Sequence, residues 1–142
     1  MQTVETNGAS IPVLGMGTWT LKGQACTELV SHALKVGYRH IDTAAAYDNE
    51  EAVGQGIRAS GVKRDDVFLT TKVWWTDIAA GDLERSAEAS LSRLGFDHVD
   101  LLLIHWPNPD VDLTESMKAL NRVRASGAAR HIGVSNFPTD LL

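Results

Sequence analysis

With 142 residues, 44 % of them hydrophobic, the chain is long enough for one domain with a genuine core. Its 13 Lys and Arg stand against 18 Asp and Glu, a net charge of −5 with no basic run, which argues against nucleic-acid and membrane-surface binding. One cysteine, Cys26, forbids an internal disulfide, no apolar run approaches the roughly 20 residues of a membrane span, and no secretory signal is visible, so the expected location is the cytoplasm.

Two short extended pieces flank Asn7-Gly8, a strong signal for a tight β-hairpin. Val13 to Trp19 then reads as a short glycine-rich strand. Thr27 to Val36 carries Leu29, Val30, Ala33 and Leu34 at helical spacing, with Gly37 placed to close it. The strand Tyr38 to Thr43 follows. Asn49 is an expected N-cap for the helix Glu50 to Ser60, whose two leading glutamates suit the positive end of the helix dipole.

Val67 to Val73 reads as the next strand. Asp82 starts a helix whose apolar face is Leu83, Ala87, Leu91 and Leu94, closed by Gly95. Val99 to Ile104 is almost wholly aliphatic, as in a parallel strand covered on both faces. Asp112 and Glu115 resemble a capping box ahead of Met117, Leu120 and Val123, with Gly127 as the stop. Arg130 to Val134 is the last strand, and a helix of about one turn starts at Phe137.

Strand and helix therefore alternate about every 30 residues, the repeat of a βαβ unit. Strands joined in this way run parallel, so the residues that close them, Asp42, Lys72, His105 and Ser135-Asn136, converge on one face. Nearby Tyr47 joins them. Singly, each residue has a bland reading: a packed loop tyrosine, a solvated strand-end lysine, an N-cap aspartate, a satisfied core histidine. Four on one face outweigh those readings and point to an active site. The five strands are about five of the eight that a parallel barrel of about 250 residues requires. The expected fold class is α/β: an incomplete (β/α)8 barrel preceded by a hairpin, with 1–142 as a single domain.

Other signals are weaker. Gly15-Met16-Gly17 lacks the third glycine of a dinucleotide fingerprint, and tight packing explains it better. His32, His40, His98 and His131 show no ligand spacing, so no metal is expected. Cys26 reads as a small helix-face residue. Trp75 points away from Trp74 by strand alternation.

The stretches IPVLGMGTW, GYRHIDTAAAYDNEEAVGQGI, LTTKVWW, VDLLLIHWP and RHIGVSNF resemble, in order, the motifs of the aldo-keto reductases. The likeness is to bacterial members similar to 2,5-diketo-gluconate reductases. The resemblance implies an NADPH-dependent reduction of aldehydes or ketones to alcohols on a (β/α)8 barrel. It puts the four catalytic positions on Asp42, Tyr47, Lys72 and His105. It puts the cofactor on Thr18, Trp19, Asp42, Ser135 and Asn136, and the substrate against Trp19, Trp74, His105 and Trp106. The later strands of that family, with their nicotinamide-stacking aromatic and basic 2′-phosphate site, have no counterpart here. A carbonyl substrate needs a hydride on carbon and a proton on oxygen. Tyr47 is the expected proton donor, with Lys72 stabilising its phenolate, Asp42 holding Lys72, and His105 donating a hydrogen bond to the carbonyl oxygen. Two alternatives stand beside this reading: a binding protein on the same scaffold without turnover, and a partial gene product. The implied partner is a small carbonyl compound. A full-length relative is expected to be a monomer, whereas a five-stranded chain is expected to self-associate.

Overall fold

A computed structural model describes residues 2–142. Strands β1 (Thr3–Thr6) and β2 (Ala9–Pro12) form the expected antiparallel hairpin, with Thr6 opposite Ala9. Asn7 at φ 45° and Gly8 at φ 80° supply the two left-handed residues that a two-residue hairpin turn of this hand requires.

The rest of the chain alternates strand and helix: β3 (Met16–Gly17), α1 (Gly23–Lys35), β4 (His40–Asp42), α2 (Glu50–Ser60), β5 (Phe68–Val73), α3 (Asp82–Leu94), β6 (Val99–Ile104), α4 (Leu113–Ala125) and β7 (Ala129–Val134). The five strands from β3 to β7 form one parallel sheet in sequence order. Sequence order with helical crossovers is the wiring of a barrel wall.

Strand alternation divides the sheet into two faces. Ile41, Leu69, Val73, Leu102 and Ile104 form one buried cluster with helix residues such as Val30, Leu34, Ile57, Leu83, Leu94 and Leu120. The other face carries Asp42, Thr70, Lys72, Leu101 and Leu103, which are register neighbours. Leu101 and Leu103 are half-buried there. Leu69 lies on the opposite face: it pairs with Ile41 and is fully buried under the helices. The sequence fixes the alternation, and only the register fixes its phase.

Several boundaries differ from the sequence reading. Strand β3 is two residues long, because ladder pairing is confined to Met16 and Gly17. A side chain at Gly15 would come within 2.8 Å of the His40 ring, so this glycine does mark close packing. Strand β4 begins at His40, two residues later than expected, although the Arg39 carbonyl still accepts from the Phe68 amide of β5 at 2.6 Å. Helix α1 begins at Gly23, a turn before Thr27. That first turn is largely solvent-facing, with Gln24 donating to Glu28 at 2.9 Å, so it adds little to the apolar stripe. Asp112 does cap α4 by accepting from the Thr114 amide at 2.8 Å, but Glu115 pairs with Lys118 rather than completing a capping box. The terminal helix is a single 3₁₀ turn, Thr139–Leu141.

Helix α2 sits between α1 and α3 by means of two glycines on different faces. A Cβ at Gly54 would overlap the Leu94 carbonyl at the end of α3, and one at Gly56 would lie 2.7 Å from the Thr27 carbonyl of α1. This seating holds the element that follows the Tyr47 loop.

Candidate active site

Asp42 is the last residue of β4 and Lys72 the penultimate residue of β5. His105 directly follows β6, and Ser135 directly follows β7. Parallel pairing carries all four to the same end of the sheet, and backbone bonds continue the ladder past the strands. The His105 amide donates to the Val73 carbonyl at 3.0 Å, and the Ser135 amide to the Ile104 carbonyl at 2.8 Å.

Tyr47 ends a 3₁₀ turn, Ala45–Tyr47, between β4 and α2. Asp48 follows in the left-handed region at φ 50°, which turns the chain into α2. Lys22 Nζ donates to the Tyr47 carbonyl at 2.6 Å. Asn49 is the backbone N-cap of α2, yet its side chain does not cap. It is buried, donates to the carbonyls of Thr18 and Leu21 at 2.8 and 3.0 Å, and accepts from the Thr43 hydroxyl at 2.8 Å. The loop is thus tied at both ends.

Lys72 is only 6 % exposed. Its ammonium donates to Asp42 Oδ1 at 2.6 Å and to the Thr43 carbonyl at 2.9 Å, and lies 3.5 Å from Tyr47 Oη. A buried ammonium needs partners of this kind, since desolvation without them is costly. The arrangement aims one positive charge at the phenol oxygen and anchors it with one carboxylate.

His105 is held edge-on between two aromatic rings, Tyr47 at 5.6 Å and Trp74 at 5.2 Å between centroids. Burial pushes its imidazole below the ordinary histidine range, and the Lys72 charge adds to this, against a smaller opposing pull from Asp42. The ring is therefore neutral at pH 7. Its Nδ1 is sealed without a partner among the described residues, so Nε2 is the nitrogen available to the cavity.

An open cavity of about 1080 Å³ lies over these groups, lined by Trp19, Tyr47, Trp74, His105, Trp106 and Asn136, with charged side chains of α3 along its far side. Trp19 is 73 % exposed at its rim. Asn136 donates to the His105 carbonyl at 2.8 Å and to Ser135 Oγ at 3.0 Å, which joins β7 to β6 beside the site. Trp75 lies outside the lining, as alternation suggests. Thr18 is fully buried, and its hydroxyl donates to the Asp42 carbonyl at 3.1 Å, holding the strand end that carries Asp42.

Sequence reasoning missed Lys22 and the cross-linking role of Asn49, along with a buried Glu50–Thr71 pair behind the site that the partly exposed Arg93 covers. Glu50, 1 % exposed, accepts from the Thr71 hydroxyl at 2.5 Å and from Arg93 at 2.7 to 2.8 Å. An Asn-Glu pair two and three residues past the loop tyrosine resembles ordinary helix-start chemistry, which hides these tertiary bonds. Burial pushes the Cys26 thiol above its ordinary range, which makes it a poor nucleophile. Among the described residues, no three His, Cys, Asp or Glu side chains group as metal ligands, and no helix is long and apolar enough to cross a membrane.

Residues 13–142 match the aldo/keto reductase family. The chain is 47 % identical over 135 residues to the methylglyoxal reductase DkgB of Yersinia pestis, covering 94 % of this chain and 51 % of that protein. The crystal structure of a putative 2,5-diketo-D-gluconic acid reductase B superposes with TM-score 0.96 at 50 % identity, over 99 % of this chain and 50 % of that one. The Bombyx mori aldo-keto reductase AKR2E4, solved in complex with NADP, superposes with TM-score 0.84 at 41 % identity, over 96 % of this chain and 50 % of that one. The chain thus spans about half the length of the relatives it matches.

Proposed function

The chain belongs to the aldo/keto reductase family, and from that membership we propose that residues 1–142 form the N-terminal part of a barrel that reduces aldehydes and ketones to alcohols with NADPH. Small carbonyl compounds of the methylglyoxal or keto-sugar-acid type are the proposed substrates, by analogy with the relatives' names. The observation that carries the reading is the Lys72 ammonium, 2.6 Å from Asp42 Oδ1 and 3.5 Å from Tyr47 Oη, beside a neutral imidazole.

The residues at the end of β7 suit a nicotinamide carboxamide. Asn136 uses its amide N–H groups on His105 and Ser135, which leaves Asn136 Oδ1 as an acceptor and the Ser135 hydroxyl as a donor. One acceptor and one donor complement a primary amide. Ser135 and Asn136 would hold that group, with Trp19 at the cavity rim and Asp42 nearby. A bound reduced nicotinamide supplies the hydride.

The chain's own residues handle the proton and the charge. The carbonyl oxygen sits within reach of Tyr47 Oη and His105 Nε2. His105 donates a hydrogen bond to the oxygen as negative charge grows there, without giving up a proton. Tyr47 transfers its phenolic proton to that oxygen, and Lys72 stabilises the phenolate left behind. Asp42 holds Lys72 in place throughout. Trp74 and Trp106 wall the substrate and exclude water from one side.

A second reading, binding without turnover, draws on the openness of the site, where Trp19 is mostly in solvent. NADPH consumption with methylglyoxal, measured alongside NADPH quenching of tryptophan fluorescence, separates the two. In the protein as its gene encodes it, turnover is the expected result. Quenching without turnover supports the binding reading, and the absence of both overturns the two together.

A further inference from the structure

Behind the catalytic face, on the helix side of β5, lies a polar trio that the proposed chemistry does not use. Glu50 is 1 % exposed, a burial that a carboxylate tolerates only when its oxygens are engaged. Both are. Oε1 accepts from the Thr71 hydroxyl at 2.5 Å, and Oε2 accepts from the Arg93 Nε–H at 2.8 Å. Arg93 also donates to Ser90 Oγ at 3.2 Å and reaches the cavity wall.

The positions of these residues in the chain matter more than the bonds themselves. Thr71 immediately precedes Lys72 on β5, and Glu50 lies three residues after Tyr47, at the start of α2. The Thr71–Glu50 bond therefore joins, one step removed on each side, the strand that carries the ammonium and the loop that carries the phenol. Lys22 and Asn49 tie that loop to the β3–α1 connection, and Asn49 also ties it to Thr43. Besides the contacts of Lys72 itself, Glu50 bonds this end of the loop to β5 through Thr71.

We propose that Thr71 and Glu50 are positioning residues for the reduction: their hydrogen bond sets the separation of Lys72 Nζ and Tyr47 Oη, and Arg93 keeps the Glu50 carboxylate aimed at Thr71. The proposal rests on the carbonyl-reductase reading for its kinetic consequence, but its geometric consequence stands without it.

Removing Arg93 would strand the buried Glu50 charge, and removing Glu50 would leave the buried Thr71 hydroxyl without its acceptor, so both risk unfolding. Thr71 allows a gentler test. Thr71→Val keeps the shape and the Glu50–Arg93 pair and deletes only the hydroxyl, and Thr71→Ser restores the hydroxyl. In a crystal structure of Thr71→Val, Lys72 Nζ and Tyr47 Oη are expected to separate beyond the present 3.5 Å, and in Thr71→Ser to keep it. In steady-state reduction with NADPH, Thr71→Val should lose roughly ten- to a hundredfold in kcat, the scale of a small misplacement of a catalytic group, with NADPH affinity unchanged. Thr71→Ser should recover most of that loss. An unmoved Lys72–Tyr47 pair in the valine variant overturns the proposal whether or not the wild type turns over. So does a kcat loss that serine fails to restore, or one matched by an equal loss of NADPH affinity. Absence of wild-type turnover with the predicted separation present would instead reject the reductase reading and leave the positioning role standing.

Discussion

Lys72 has three N–H groups, and the structure gives each one a direction: Asp42, the Thr43 carbonyl and the Tyr47 oxygen. The Asp42–Lys72 part of this set was legible in the sequence as a spacing, because residues that close consecutive parallel strands meet, with Tyr47 in the loop beside them; the Thr43 carbonyl was not. Nor were the supports of the set, since Lys22, Asn49 and Glu50 act through tertiary bonds that no local pattern announces. His105 yields two predictions. Burial and the Lys72 charge hold its imidazole low, and burial does the same for His40. The unfolded chain therefore binds more protons than the native one just below the ordinary histidine value of about 6.5, and stability falls as pH falls through that window. Urea midpoints should drop between about pH 7.5 and 5.5, and less steeply in His105→Gln; a flat profile in the wild type would contradict the burial argument. In turnover, His105→Gln should alter discrimination among carbonyl substrates more than NADPH affinity, because Nε2 faces the cavity. A loss confined to NADPH affinity would place the imidazole on the wrong partner.

At the level of elements, the strand–helix repeat and the hairpin could be read directly, since periodicity and Asn-Gly chemistry are local. The ends of β3, β4 and α1 could not, because ladder pairing and a solvent-facing first turn leave no apolar signature. The phase of β5 was also hidden: Leu69 faces the helices and Lys72 the cavity, a distinction that one residue of register decides. Helix α2 shows how packing can hide in an ordinary helical stretch. Gly54 lies against the Leu94 carbonyl, where any side chain must push α3 away. Gly54→Ala should therefore destabilise by about 1–3 kcal/mol, the usual range for overpacking, despite alanine's better helix propensity. Chemical denaturation measures this directly. A stabilised alanine variant would mean that α2 and α3 can separate at little cost, and would weaken the case that α2 seats the Tyr47 loop rigidly.

For the whole molecule, the described sheet has β3 and β7 at its edges, and its cavity face exposes part of Leu101, Leu103 and His131. Open edges and a half-covered apolar face favour association. The 142-residue chain on its own should elute above monomer size in size-exclusion chromatography and bind NADPH weakly; a well-behaved monomer with ordinary turnover would show that five strands suffice. The site itself draws on four successive strand ends, so its chemistry tests the assembly as a whole. The most direct measurement is single-turnover reduction of methylglyoxal by NADPH, comparing wild type with Tyr47→Phe in the protein as its gene encodes it. The account predicts a loss of about 10²–10⁴-fold, the usual contribution of a general acid, with NADPH affinity retained. Turnover near the wild-type rate in the phenylalanine variant would contradict it.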